Sequence, residues 1–153
     1  MMDAPKELKA VEILLVEDNP VDILVTKDAL EEARVHNNVH VAEDGEEAMD
    51  FLHQRGKFAD APRPDLILLD LNLPKKSGIE ILAEIKENPN LLNIPVVVLT
   101  TSEAESDVIT TYCLHANCFI TKPVDMDQFT QVIRSINGFW FTIVKLPPGG
   151  QDR

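Results

Sequence analysis

The chain reads as a doubly wound α/β protein on a five-stranded parallel sheet, and three observations predict it. From Val11 onward, short aliphatic runs alternate with amphipathic segments of helical period, the pattern of a parallel sheet covered by helices on both faces. One of those runs, Leu66-Ile67-Leu68-Leu69, is too short for a helix and too uniform for a half-exposed strand, so it suits the middle of a buried sheet. Several runs end in a polar or charged residue, and the carboxyl ends of the strands are where open α/β sheets bind ligands.

Strands are predicted over 12–16, 39–42, 66–69, 96–100 and 118–121, with helices over 20–33, 45–54, 78–87, 103–115 and 126–137. The last helix has the clearest stripe, with Phe129, Val132, Ile133 and Ile136 at i, i+3, i+4 and i+7. Helix starts support the parsing independently of hydrophobicity, because each opens on a residue able to accept a bond from the orphan amides of the first turn. Asn19-Pro20 supplies a cap with proline at the first helical position. Asp44-x-x-Glu47, Ser77-x-x-Glu80, Ser102-x-x-Glu105 and Asp125-x-x-Gln128 have capping-box spacing or its close relative. Breaks fall at Pro62-Arg63-Pro64 and from Asn88-Pro89-Asn90 to Pro95.

Composition bounds the function. A chain of 153 residues suits one domain, long enough to bury about two thirds of its unfolded surface. We expect a tail over 1–10, the domain over 11–138 and a carboxyl-terminal arm over 139–153. A net charge of −12 without a basic stripe disfavours direct nucleic-acid binding and points to proteins or cations as partners. No apolar run reaches the length of a membrane span, and residues 1–9 lack the hydrophobic segment of a signal peptide, so the expected location is the cytoplasm, away from the membrane. Cys113 and Cys118 have neither zinc-ligand nor redox spacing, and we expect reduced, packed thiols. His36, His40, His53 and His115 lack metal spacing and read as surface or turn residues.

The strand ends carry the chemistry. Asp70 follows Leu69 directly, where an ionised carboxylate is tolerated only if paired, metal-bound or at a solvent-open edge; taken alone it reads equally as a turn or cap residue. Glu17 and Asp18 follow the first strand and share that edge if the strands are parallel, although two acids near a helix start are also favoured by the helix dipole. Three converging carboxylates repel unless a cation sits among them, and oxygen-only ligands are what magnesium prefers. Thr100 and Lys122 close two later strands, placing a hydroxyl and an ammonium at the same edge. Lys122 could neutralise Asp70 and later bind an added phosphoryl oxygen.

On these residues, 11–137 resembles the receiver domain of two-component response regulators, the CheY-like, flavodoxin-like fold. Glu17-Asp18, Asp70 in Asp70-Leu71-Asn72-Leu73-Pro74, Thr100 thirty residues later, and Lys122-Pro123 match the family's motifs in type, order and spacing. The resemblance implies strand order 2-1-3-4-5 and Asp70 as the phosphoacceptor, taking its phosphoryl group from a sensor histidine kinase. It further implies Mg2+ held by Asp18, Asp70, the Asn72 backbone carbonyl and, through water, Glu17, with Lys122 and Thr100 on the phosphoryl oxygens. Thr100 and the aromatic Phe119 would form the conformational switch. Tyrosine is frequent at the latter position, and Phe119 has no hydroxyl to satisfy; it reads alternatively as a core phenylalanine that never moves. Asn72 and Ser102 occupy positions that influence phosphoryl lifetime, and neither is a good general base.

The arm holds Phe139, Trp140 and Phe141, including the chain's only tryptophan. That apolar surface, at about 25 cal/mol per Å2, favours burial either against the chain's own last helix or against a partner or second copy. The arm, the 87–95 loop and Val98-Leu99-Thr100-Thr101-Ser102 resemble the stand-alone regulators of bacterial and cyanobacterial phytochromes, which implies a light-regulated histidine kinase as donor and an arm-mediated homodimer. An alternative is a phosphorelay intermediate or phosphate sink with the same site. A haloacid-type phosphatase is disfavoured because Asp70-Leu71-Asn72 lacks a second acid, and nucleotide binding because no Gly-rich loop follows the first strand.

Overall fold

The computed structural model describes residues 10–32, 37–71, 73, 77–100, 118–122, 127 and 131. Within them the order is β1 (Val11–Val16), α1 (Pro20–Glu32), β2 (Asn37–Ala42), α2 (Gly45–Leu52), a 3-10 turn (Gly56–Phe58), β3 (Leu66–Asp70), α3 (Gly78–Glu87), β4 (Val96–Thr100) and β5 (Cys118–Thr121). The strands form one sheet in the order β2-β1-β3-β4-β5, and every neighbouring pair is parallel. This is the predicted CheY-like topology. The helices expected over 103–115 and 126–137, and the arm, lie outside the described residues, apart from 127 and 131.

Alternation along each strand divides the core into two layers. Leu14, Val16, Ile67, Leu69, Val96 and Val98 meet α2 and α3 through Met49, Phe51, Ile81, Leu82 and Ile85. Ile13, Leu15, Leu66, Leu68, Val97, Leu99 and Ile120 form the opposite layer with Ala29 and Leu30 of α1. Leu66 to Leu69 are fully buried because both faces of β3 are covered, which is why the run carries no polar alternation.

Four boundaries differ from expectation among the described residues. β3 runs to Asp70 rather than 69, with Asp70 opposite Leu99 of β4. β2 begins at Asn37 rather than 39, and β1 at Val11 rather than 12, because β2 is the sheet's edge and its half-exposed start accepts polar residues. α2 stops at Leu52, two residues early: Gln54 takes the left-handed conformation at φ 55°, and its side-chain amide donates to the Ala61 carbonyl at 2.6 Å. His40 is neither a turn nor a simple surface residue. It sits half-buried on β2, with Nε2 2.7 Å from Glu12 Oε1 and its ring 5.3 Å from that of Phe51.

Candidate phosphoacceptor and metal site

Register assembles the site. Val16 lies opposite Leu69, so Glu17, the next residue after β1, comes level with Asp70 at the end of β3. Asp70 in turn lies opposite Leu99, and Thr100 opposite Thr121, which puts Lys122 one step beyond the same edge. Glu17 amide donates to the Ala42 carbonyl at 2.9 Å, fixing the chain where it leaves β1.

At the far side of β3, α3 begins unusually close to the strand end. A Cβ on Gly78 would stand 2.6 Å from the Asp70 carbonyl oxygen and 2.7 Å from Leu71 Cα, so only glycine admits this approach. The Gly78 amide donates to the Leu71 carbonyl at 3.2 Å.

Glu17 is fully buried and Asp70 is 3% exposed, whereas Asp18 is open to solvent. One carboxylate oxygen from each lies within 4.8 Å of the others. Lys122 reaches into this group, its Nζ 2.8 Å from Glu17 Oε1, 2.9 Å from Asp22 Oδ2 and 3.3 Å from Asp70 Oδ1. Desolvation by burial pushes the Glu17 carboxyl up to about 7, and the nearby Asp70 charge adds to that, against the pull of Lys122. Burial alone would lower Lys122, but its bonds to Glu17 and Asp22 and the charge of Asp70 outweigh it and hold the ammonium above its ordinary 10.5. The lysine is therefore charged at neutral pH.

The donor set suits a divalent cation. It is all oxygen, three carboxylates converge within ligand range, and one of them is open to solvent, where water can complete a shell. The buried Glu17 Oε1 has the Lys122 ammonium 2.8 Å away and, apart from that shared lysine, no hydrogen-bond partner among the described residues. A buried carboxylate oxygen whose one close partner is a lysine shared with two other carboxylates is what a cation would satisfy.

The response regulator receiver domain model matches residues 13–134. The chain belongs to that family. Three relatives place it further. Response regulator Rcp1 of Synechocystis sp. is 49% identical over 135 residues, covering 88% of this chain and 92% of Rcp1; in its solved Mn2+-bound form it is 50% identical with a TM-score of 0.71, covering 90% of this chain and 99% of that one. The bacteriophytochrome response regulator RtBRR superposes with a TM-score of 0.82 at 41% identity, covering 92% and 86% of the two chains. The phosphorylated cyanobacterial phytochrome response regulator RcpA gives a TM-score of 0.72 at 50% identity, covering 92% and 100%. This receiver is thus a two-component response regulator related to the phytochrome regulators, and membership implies a histidine kinase as partner.

Of the predicted site residues, the structure brings Glu17, Asp18, Asp70 and Lys122 together. Thr100 ends β4 and Phe119 lies in β5 opposite Val98, both by backbone; their side chains, and with them the expected switch, are outside the described set, as are Asn72, Phe139, Trp140 and Phe141. Sequence reasoning missed Asp22. An acid three residues after the cap Asn19 already has an explanation in helix capping, and only its contact with Lys122 shows another use.

Proposed function

We propose that this receiver accepts a phosphoryl group on Asp70 from a sensor histidine kinase of the phytochrome type and signals by the resulting change of conformation. The observation that carries the reading is a nearly buried carboxylate at a strand end, with an ammonium 3.3 Å from one oxygen and two further carboxylates in ligand range. An Asp70 oxygen attacks the phosphorus of a phosphohistidine, the P–N bond breaks, and the imidazole leaves with the electron pair and takes up a proton. Lys122 holds a phosphoryl oxygen as negative charge shifts onto it, and Thr100 donates to another. Asp18, Asp70, the Asn72 carbonyl and, through water, Glu17 are the residues to hold Mg2+, which supplies charge neutralisation when bound. The Mn2+-bound form of Rcp1 and the phosphorylated form of RcpA support both parts of the reading.

Val21 and Leu24, exposed at 67% and 61% on the helix beside the site, offer apolar surface for a protein partner. No helix of the described residues is long and apolar enough to cross a membrane, which is compatible with a cytoplasmic regulator. The domain over 11–138 would carry the chemistry. The arm over 139–153 would join two copies through its aromatic residues; truncation after Gly138 should then give a monomer in sedimentation equilibrium, and an unchanged mass would refute the arm's role.

Intact-mass measurement after incubation with a small acyl phosphate and Mg2+ tests the acceptor. The wild type should gain one phosphoryl increment and Asp70→Asn none. An increment retained by Asp70→Asn would sink the assignment.

A further inference from the structure

α1 begins with a cap that ought to close on itself. Asn19 Oδ1 accepts from the amides of Val21 at 2.8 Å and Asp22 at 3.1 Å, so Asp22 occupies the third helical position, from which an acid normally reaches back to the amide of the cap residue. It does not do so here. The Asn19 amide donates instead to Glu17 Oε2 at 3.3 Å, and the Asp22 carboxylate turns to Lys122 at 2.9 Å. Asp22 is absent from the group of carboxylates within metal-ligand range of one another, which comprises Glu17, Asp18 and Asp70.

Lys122 thus serves three carboxylates, two of which also belong to the metal group. A divalent ion that draws on Glu17, through water or directly, competes with the ammonium for that carboxylate, and the lysine then leans on another partner in a pocket where its side chain is only 10% exposed. We infer that Asp22 is a positioning residue that anchors Lys122 at the rim of the site and takes up its charge when Glu17 turns to a divalent ion. The inference rests on the metal and phosphoacceptor reading above, and it predicts a defect in metal dependence rather than in the chemistry of a loaded site.

Mn2+ binding followed by the electron paramagnetic resonance of the free ion tests it on the full chain. Asp22→Asn should weaken Mn2+ binding about 3- to 10-fold, and Asp22→Glu, which keeps a carboxylate for the lysine, should recover it to within about 2-fold. In a Lys122→Met background, which keeps the apolar stem, adding Asp22→Asn should change affinity by less than about 2-fold, because the residue acts through the lysine. Phosphorylation by a small acyl phosphate supplies a second readout in a single variant: for Asp22→Asn the half-saturating Mg2+ concentration should rise by the same factor, while the rate at saturating Mg2+ stays within about 2-fold of wild type. An equal loss in both lysine backgrounds would show that Asp22 acts by its own charge and overturn the inference, as would unchanged affinity in Asp22→Asn or a fallen rate at saturating Mg2+. No Mn2+ binding by the wild type would overturn the metal reading itself, and this inference with it.

Discussion

α1 and α3 each follow a strand of the site, and each opens on a polar cap with an acid three residues later. At α3 the pair closes: Glu80 amide donates to Ser77 Oγ at 3.2 Å, and Ser77 amide donates to Glu80 Oε1 at 3.0 Å. At α1 half of that arrangement is kept, since Asn19 still holds two amides, but the acid is released to Lys122 and the vacated amide is taken by Glu17. The same local chemistry serves stability in one place and the site in the other. What decides between them is proximity to charge. α3 starts over a glycine pressed against the end of β3, where there is room for little except a self-satisfied cap, whereas α1 starts beside an ammonium with several carboxylate partners.

The largest way to break this contrast is to remove the cation. Lys122→Ala leaves the buried Glu17 and Asp70 without their shared counter-charge, and in divalent-free buffer the variant should lose roughly 3–5 kcal/mol of stability to urea denaturation. Saturating Mg2+ should return most of it, because a bound ion can take over the neutralisation. A loss that Mg2+ leaves untouched would mean that the lysine matters for packing alone.

A smaller effect sharpens the comparison directly. Asn19→Ala and Ser77→Ala each delete a cap that accepts from first-turn amides, and each should cost about 1 kcal/mol. Their consequences at the site should differ. Asn19 pins the amide of Asp22, so Asn19→Ala should also weaken Mn2+ binding about 2-fold or more, while Ser77→Ala should leave it unchanged. Equal metal affinities in the two variants would show that the first turn of α1 does not need its cap to place Asp22.

The site was legible where strand register alone fixes position. In a parallel sheet, residues that directly follow the aliphatic runs arrive at one edge, so Glu17, Asp70 and Lys122 could be placed together from the sequence before any distance was known. Asp22 was hidden because helix capping and the helix dipole already account for an acid at that point, and nothing in the local sequence distinguishes a carboxylate that closes a cap from one that turns away. In the sequence Gly78 is only the first residue of a helix, and its real constraint, backbone against the end of β3, arises in three dimensions. The early end of α2 was obscured for a similar reason. Gln54 adopts a conformation usually taken by glycine or asparagine, held by a carbonyl seven residues away.

The mildest test lies at α2, a third helix start that stands between the other two in behaviour. Asp44 Oδ1 accepts from Glu47 amide at 2.8 Å, while Glu47 Oε1 accepts from the Glu43 amide at 2.9 Å and its Oε2 lies 3.0 Å from Lys57 Nζ. The acid therefore divides its oxygens between a local amide and an exposed lysine. The bond from Glu43, then that from Lys57, hold its carboxyl below the ordinary 4.5. A folded value below the unfolded one means that the stabilisation is complete above pH 4.5 and is lost as pH falls through the lowered folded value. Glu47→Gln should consequently be less stable than wild type at pH 7, by on the order of a few tenths of a kcal/mol because the ion pair is solvent-screened, and the gap should narrow as the pH is taken toward 3. A gap independent of pH would assign the effect to shape or helix propensity rather than to charge, and would place α2 with the self-contained cap of α3 instead of midway toward α1.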